Sequence, residues 1–385
     1  MMEMTRTFHP VGQGAFYSEQ FRSENGDDFR IVYDCGTKTR QEKVHPVKVI
    51  QDAFKDSRPI DILFISHFDK DHVSMISKLL NQHAIIKRVV LPLLPVEETA
   101  VLQAHYRQTR NSIGKHLLVD PVGFFNNEAA VLRVEPTGNG PIELSPNHDE
   151  GHDSDVTILK PNGERVDANP GDKKDIPSGA RISVPRYSWC YIPHNHEYRK
   201  RHEALANELN KRTNIDQTRL GEASYIGEKS KELNEVYRSL EAAQCGNINE
   251  NSMLVYSGPS RCPFGITHGW RGLIWDSRKF NCWFGDRSGC IYSGDSDFNK
   301  VKIHDVYKGF WKNVGTVQIP HHGSGGSFSV EFLDEDNRSY FCPISTGRQY
   351  GHPASSVLKD ILIRHSLPLI VDECPCSKLS QHIWV

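Results

Sequence analysis

The chain has 385 residues, and its 46 lysine and arginine residues nearly balance 48 aspartate and glutamate residues, which gives a formal net charge of -2. This balance excludes a global electrostatic attraction to nucleic acid or to an anionic membrane, although it is compatible with a local basic groove. Hydrophobic residues make up 37% of the chain, which is enough for a buried core. The longest apolar stretch, Val89–Val96, contains two prolines and is far shorter than the ~20 residues of a membrane-spanning helix. We therefore expect no membrane partner.

The nine cysteines are an odd number, spread from Cys35 to Cys376. Because the N-terminus has no apolar segment typical of a signal peptide, we expect reduced thiols in a cytoplasmic protein. Cys374 and Cys376 form a Cys-x-Cys pair without a second pair at zinc-site spacing, which favours a packing element of the tail over a metal site.

The first third of the chain alternates strand-like and helix-like segments. Short apolar runs rich in β-branched and aromatic residues predict strands over 29–34, 60–66 and 85–94. Helical spacing of apolar residues predicts helices over 47–54 and 73–80.

The middle of the chain is less regular. Short β-like pieces separated by Pro, Gly and Asn are predicted over 119–162. From 196 to 243 the sequence is helical and highly charged, with an apolar stripe of Leu233, Val236, Tyr237 and Leu240. Between His196 and Leu240 there are 9 basic and 8 acidic residues, and this mixture favours a solvated helical hairpin or cap over a nucleic-acid-binding arm.

The last third returns to strands, followed by one helix before the final strand. Strands are predicted over 252–256, 290–293, 316–319, 340–344 and 367–371, and the helix over 357–363. This rhythm at both ends of the chain predicts two αβ halves with an insertion between them.

The strongest chemical signal is the run Ser66–His72, directly after a predicted buried strand. It contains His67, Asp69, Asp71 and His72, and imidazole and carboxylate are ligands for Zn²⁺, Mn²⁺ or Fe²⁺. The alternative is a polar loop that caps the next helix, with Asp71 as its N-cap. Three later strand ends also deliver such residues, namely Asp295 after Ser293-Gly294, the pair His321 and His322, and His352. Four such pieces at strand ends favour one metal site over four separate turns.

These motifs resemble the metallo-β-lactamase fold superfamily. Its usual first motif is His-x-His-x-Asp-His, whereas this chain has His67-x-Asp69-x-Asp71-His72, and that change is similar to the branch containing the hydrolase domain of the competence protein ComEC. Further fragments resemble the same branch: Val11–Gly14, Tyr33–Gly36, Asn251–Val255, Ser293–Asp295, Pro320–Ser324 and Gly351–Pro353. The resemblance is poor between residues 97 and 245.

The resemblance implies an α/β fold, a four-layer αββα sandwich, over residues 1–385, with a central insertion at 97–245 that includes the helical segment 196–243. It implies two divalent metal ions, Zn or Mn, with ligands from His67, Asp69, Asp71, His72, Asp295, His321 and His352. Asp295 is the expected bridging carboxylate, and Asp34 is expected to support the ligands from outside. Asp71, His322 and Ser324 are expected to be catalytic residues, although which of His321 and His322 is a ligand stays open. His148 and His152 lie in the unmatched region and receive no role.

The acidic residue at position 69 should shift the metal preference towards Mn²⁺, since oxygen ligands favour harder ions. Two metals would activate water and stabilise a phosphoryl transition state. Ser324 and the backbone N–H groups of residues 323–326 form either an anion-binding nest or a flexible loop. Trp189, Tyr191, Trp270 and Trp275 could stack bases, but packing is favoured.

The leading functional hypothesis is a metal-dependent phosphodiesterase, most simply a nuclease acting on DNA or RNA in prokaryotic defence or DNA processing. The alternatives are a phosphodiesterase of small or cyclic nucleotides, a lactone or thioester hydrolase, and a non-catalytic scaffold. The expected partners are a nucleic acid or nucleotide substrate and, through the helical segment, a protein partner or a second copy of the chain.

Overall fold

The computed structural model describes residues 3–22, 28–40, 42–83, 85–143, 155–242, 251–259, 265–271, 273–276 and 287–384. The strands in these ranges are β1 Glu3–Phe8, β2 Phe16–Arg22, β3 Asp28–Cys35, β4 Ile62–Phe64, β5 Arg88–Pro92, β6 Ala130–Thr137, β7 Thr157–Leu159, β8 Lys173–Pro177, β9 Arg181–Val184, β10 Trp189–His196, β11 Leu254–Pro259, β12 Gly265–Trp270, β13 Leu273–Asp276, β14 Gly289–Tyr292, β15 Val314–Val317, β16 Phe341–Ser345, β17 Leu367–Val371 and β18 Leu379–Trp384. The α-helices are α1 Pro46–Ala53, α2 Lys70–Val73, α3 Ile76–His83, α4 Val96–Thr109, α5 Ser112–Val119, α6 Pro121–Phe124, α7 Arg199–Asn210, α8 Ala223–Glu228, α9 Ser230–Ala242, α10 Ile303–Val306, α11 Glu331–Asp334 and α12 Ser355–Ile363.

The strands form two sheets. The first sheet has the order β13-β12-β18-β1-β2-β3-β4-β5-β6-β8, and its segment from β3 to β8 is parallel. The second has the order β7-β9-β10-β11-β14-β15-β16-β17, with β14 to β17 parallel. A short parallel contact between β10 and β6 joins the two sheets.

The alternation of side chains along the strands creates separate cores on the two faces of each sheet. On β3, Phe29, Ile31 and Tyr33 belong to the core between the sheets, whereas Val32 and Cys35 face an outer core. Both faces are apolar because both are covered, as is usual for parallel strands.

Helices cover the outer face of each sheet. Residues of α3, α4 and α9 share one outer core with strands of the first sheet. Residues of α10, α11 and α12 share the other outer core with strands of the second sheet. The result is the predicted αββα arrangement of four layers.

Many predicted elements are present with small shifts of their ends. The strand over 367–371 coincides with β17, and the predicted helix 357–363 lies within α12. The stripe Leu233, Val236, Tyr237 and Leu240 is buried in the outer core, which confirms the predicted helical face. Trp189 and Tyr191 are buried between the sheets and pack there. The side chains of Trp270 and Trp275 lie outside the described residues.

The predicted central region does not stand apart from the sheets. It contributes β6 and β8 to the first sheet and β7, β9 and β10 to the second. Its helices α7 and α9 pack in the outer layer with α4. The division of the chain into a hydrolase domain and an insertion at 97–245 therefore stays a prediction.

Two further observations bear on the sequence predictions. Within the described ranges, no helix combines the length and the apolar character that a membrane crossing requires. The alternative of Asp71 as an N-cap is wrong, since α2 begins after Asp69 and Asp71 lies in its first turn.

Candidate metal centre

Ends of parallel strands bring the predicted residues to one edge of the sandwich. Asp34 lies at the end of β3, and the run Ser66–His72 follows its parallel neighbour β4. Asp295 follows β14, and the histidine pair follows β15. Because parallel strands end at the same edge, segments that are distant in the sequence become neighbours.

Six side chains form three overlapping groups, each able to offer three ligand atoms within 4.8 Å of one another. The groups are His67, His72 and Asp295; Asp71, His72 and His322; and His67, Asp69 and Asp71. Shared members connect the groups, so the arrangement is one cluster of donors with room for more than one cation.

Asp34 fixes the orientation of His72. Asp34 is fully buried, has a φ of 54°, and accepts hydrogen bonds from the backbone N–H and the hydroxyl of Ser66, each at 2.7 Å. His72 Nδ1 lies 2.8 Å from the same carboxylate. Since an ionised carboxylate only accepts, Nδ1 carries a proton, and Nε2 is the atom that would bind a metal ion in the neutral ring.

Ser252 supports two other members of the cluster. Its hydroxyl accepts from the backbone N–H of Asp295 at 2.8 Å and lies 2.9 Å from His67 Nδ1. Ser66 Oγ lies 3.0 Å from the same Nδ1, and it gives its own proton to Asp34. A proton on His67 Nδ1 can be donated to either serine hydroxyl, and this tautomer leaves Nε2 as the ligand atom.

His322 is held in the same manner from the second sheet. Its Nδ1 donates to the backbone carbonyl of Ser345 at 2.8 Å, and its Nε2 lies 3.4 Å from Asp71 Oδ2. Both His321 and His322 have positive φ values, 47° and 56°. Such backbone conformations are unfavourable for histidine and are concentrated at functional sites.

The chemistry of these atoms fits divalent metal ions. The Nε2 atoms of His67, His72 and His322 are buried, and none makes a hydrogen bond within the described part of the chain. The distances from Nε2 to a carboxylate oxygen are 3.2 Å for His72 to Asp295, 3.4 Å for His322 to Asp71 and 3.7 Å for His67 to Asp295. Two atoms bound to one ion at about 2.1 Å lie roughly 3.0–3.4 Å apart. The distances of His72 to Asp295 and of His322 to Asp71 already fall in this range.

The electrostatics of the cluster also favour a cation. Burial disfavours the imidazolium of His72, but Asp295 and Asp34 outweigh this effect and raise its pKa well above the usual range. Burial opposes ionisation of Asp295, yet His72 and His321 hold the pKa of that carboxyl well below its usual range. Without a metal, the carboxylates therefore need a protonated histidine, which is the charge that a metal ion would replace.

Asp69 lies at the more exposed side of the cluster. Burial, together with the charge of Asp71, raises the pKa of Asp69 to about 6. The hydroxyl of Tyr106 on α4 donates to Asp69 Oδ1 at 2.9 Å, and Lys38 Nζ lies 2.9 Å from Asp71 Oδ1. Neither Tyr106 nor Lys38 was predicted, because no sequence motif includes either residue.

The other predicted residues lie around this cluster. His321 is half-exposed, with its Nε2 4.0 Å from Asp295 Oδ2, and the ring of His352 lies 6.4 Å from that of His321. Neither belongs to the three donor groups. Ser324 is partly buried on the turn after His322. His148 and His152 lie outside the described residues.

The predicted anion nest is only partly available. The N–H of Gly323 donates to the carbonyl of Pro320 at 3.0 Å, and the N–H of Ser324 donates to that of His321 at 2.9 Å. These two groups belong to the turn and are not free for a phosphate, which leaves Gly325 and Gly326.

Two glycines permit the close packing of the metal loop. A Cβ on Gly36 would lie 2.5 Å from backbone atoms of Asp71 and His72. Gly294 has a φ of 54°, and a Cβ there would lie 2.7 Å from Ser66. Gly36 and Gly294 are therefore required, because their backbone lies too close to the metal loop for a larger residue.

Comparisons with known proteins give one family match. Residues 23–166 match the model of the Metallo-beta-lactamase superfamily. Over these residues the chain is similar to the metallo-β-lactamase superfamily, and its four layers are those of the metallo-β-lactamase fold. A search of curated proteins gave no significant match.

Two solved structures illustrate how distant the similarity is. MEM-A1, a subclass B3 metallo-beta-lactamase from a soil metagenome library, is 11% identical, with 50% of this chain and 49% of that chain covered and a TM-score of 0.22. A long form RNase Z from yeast is 13% identical, with 34% and 17% covered and a TM-score of 0.17. This chain thus spans about half the length of the first structure and about a sixth of the second.

Proposed function

We propose that this protein is a metal-dependent phosphodiesterase that cleaves nucleic acid. The observation that carries the proposal is the donor cluster itself, with the Nε2 atoms of three buried histidines and the carboxylates of Asp69, Asp71 and Asp295 in overlapping groups. The resemblance to the ComEC branch, which rests on the same residues, supports a phosphodiester over a lactam, lactone or thioester substrate.

Within this proposal, His67, His72, His322 and the three carboxylates would hold two divalent ions. Bound ions lower the pKa of water and neutralise charge on a transferring phosphoryl group. Carboxylates supply half of the donors, so Mn²⁺ is the preferred ion over Zn²⁺.

The geometry favours different roles for the two neighbouring histidines. His322 is buried, with Nδ1 tied to a carbonyl and Nε2 in a donor group, as expected of a ligand. His321 is half-exposed at the rim, and its Nδ1 lies 3.1 Å from the hydroxyl of Ser327. We assign His322 to metal binding and His321 to protonation of the leaving oxygen.

Lys38 is the second group at the rim. It is partly exposed and its ammonium contacts Asp71, so a phosphate oxygen at the cluster would meet a positive charge already in place. Such a preorganised charge stabilises the additional negative charge of the transition state.

The testing experiment uses purified protein with single-stranded DNA, duplex DNA, RNA and bis-p-nitrophenyl phosphate, each with Mn²⁺, Zn²⁺, Mg²⁺ or EDTA. The Asp295→Asn variant removes the carboxylate charge that lies next to His67 and His72, and His116→Ala changes an exposed histidine as its control. Cleavage of a polynucleotide with Mn²⁺, lost in Asp295→Asn and retained in His116→Ala, supports the proposal.

Two results would redirect it. Turnover of the small diester without any cleavage of polynucleotides would indicate a phosphodiesterase of small nucleotides. Hydrolysis of lactones or thioesters alone would contradict the phosphodiester assignment.

A further inference from the structure

A basic cleft lies beside the metal loop. It has a volume of about 450 Å³, and five cationic side chains line it: Lys38, Arg40, Lys70, Lys78 and Arg110. The described residues that line it include no aspartate or glutamate. In a chain with a net charge of -2, this is a strong local concentration of positive charge.

Four of these cations have no acidic partner among the residues that the structure describes. Lys38 contacts Asp71, but Arg40, Lys70, Lys78 and Arg110 form no ion pair with any described residue. Arg40, Lys70 and Arg110 are exposed, and Lys78 is partly buried. Like charges held close together without counter-ions repel one another, so the cleft is better suited to a bound anion than to an empty state.

Hydrogen bonds connect the walls of the cleft to the metal centre. Asn111 donates to the carbonyl of Phe68 at 2.8 Å, inside the metal loop. On the other wall, Ser74 Oγ donates to the carbonyl of Thr37 at 3.0 Å and accepts from its N–H at 2.9 Å. Lys70 itself lies between Asp69 and Asp71. A ligand in the cleft would therefore be held at a fixed position next to the reacting atoms.

The lining also indicates how a ligand would be recognised. Besides the cations, it presents the hydroxyl-bearing residues Thr39 and Ser112 and the amide residue Asn111, which are residue types that contact phosphate and sugar oxygens. The described lining residues include no aromatic ring on which a base could stack. Recognition would depend on the phosphates, without preference for base sequence.

We propose that this cleft binds the phosphate backbone of a single nucleic-acid strand and leads it to the metal centre. The inference rests on the proposed function, since it names the path by which that substrate reaches the site. Each phosphate contact to a single strand contributes about 0.7 to the slope of log affinity against log salt. Four free cations should give a slope of about -3.

The test compares two triple variants. Arg40→Gln, Lys78→Gln and Arg110→Gln together remove three cleft charges but no residue of the metal cluster. The control removes the same charge at the exposed lysines Lys308, Lys312 and Lys359, next to or within the helical layer of the second sheet. Binding of a labelled single-stranded oligonucleotide is measured by fluorescence anisotropy between 50 and 300 mM NaCl, with Mn²⁺ and with EDTA. Hydrolysis of bis-p-nitrophenyl phosphate is measured in parallel.

The cleft variant should bind the oligonucleotide on the order of 100-fold more weakly at 0.1 M salt and with a slope nearer -1, because three contacts are lost. Hydrolysis of the small diester should stay unchanged, and the control should behave as the wild type. Equal weakening in both variants, or no weakening in either, would overturn the assignment of the cleft. Equally tight and salt-sensitive binding of poly-glutamate would also overturn it, in favour of an unspecific polyanion surface.

The outcomes separate the two proposals. If the wild type binds with the expected slope but hydrolyses no diester, the assignment of the cleft is supported and the proposed function is contradicted. If the cleft variant cleaves oligonucleotides as well as the wild type does, the proposed function is supported and the assignment of the cleft is contradicted.

Discussion

Replacement of Asp34 by asparagine tests whether this carboxylate, which is not itself a ligand, sets the tautomer of His72. Asp34 has a φ of 54°, a conformation that asparagine also tolerates, so the backbone should be retained. The two side chains have the same shape, but asparagine carries an NH₂ group in place of one carboxylate oxygen.

Either orientation of the new amide creates a conflict between donors. With its oxygen towards the N–H of Ser66, the NH₂ group faces Nδ1 of His72, which must then lose its proton and place it on Nε2. A protonated Nε2 cannot bind a metal. With the amide reversed, two donors face each other in a fully buried position, which costs about 1–3 kcal/mol.

The expected result is a decrease in metal affinity of about 10–100-fold, the usual effect of losing the partner of a histidine ligand. Competition with a chromophoric chelator for Mn²⁺ and Co²⁺ measures this decrease, and thermal unfolding in EDTA shows whether the apoprotein remains folded. A conservative control is Asp305→Asn, at an exposed carboxylate on α10. Unchanged metal affinity in a folded Asp34→Asn protein would refute the tautomer argument.

Three further predictions concern metal choice, the core and pH. Asp69→His replaces an oxygen donor by nitrogen and should raise the ratio of Zn²⁺ to Mn²⁺ affinity by at least about 10-fold, as measured by competitive titration. Glu19→Gln should reduce the free energy of unfolding by about 3–5 kcal/mol in urea titrations, because buried Arg6 donates to Glu19 at 2.8 Å and would keep an uncompensated charge. The exposed control Glu164→Gln, whose partner is Lys160, should leave the midpoint of the urea titration close to that of the wild type. Burial and the neighbouring His196 lower the pKa of His194 from 6.5 to about 3, so the unfolded chain binds more protons between these values and stability falls as the pH decreases. His194→Phe should therefore lose roughly 1 kcal/mol less stability than the wild type between pH 6.5 and 5.5, and an identical loss would contradict the assignment.

The sequence predicted the parts of the fold in which local pattern and final environment agree. Strands such as β17 are uniform apolar runs, and the chemical residues follow strand ends, where parallel topology brings them together. The motif around His67 could be recognised in the sequence because its metal-binding residues lie within a few residues of one another.

Two elements with buried polar residues, α4 and β1, were not predicted. The helix α4 has Glu98 and Gln103 on its buried side, which interrupts the apolar stripe on which a helix prediction depends. The strand β1 buries Arg6, whose partner Gln381 lies 375 residues away. From sequence alone such side chains are expected at the surface, because the distant partner that satisfies their hydrogen bonds is not known.

One of these buried partnerships changes the interpretation of the charged helices. Arg201 of α7 donates to Glu98 of α4 at 3.2 Å and also contacts the side chain of Asn251, which in turn contacts Glu98. All three residues are almost fully buried. Asn251 immediately precedes Ser252, the residue whose hydroxyl holds both His67 and Asp295. The helical segment predicted as a solvated cap therefore also supports the candidate metal centre. Its buried Arg201 contacts Asn251, the residue before Ser252. A helical segment that is evenly charged towards solvent can thus contain one buried ion pair beside a candidate metal centre.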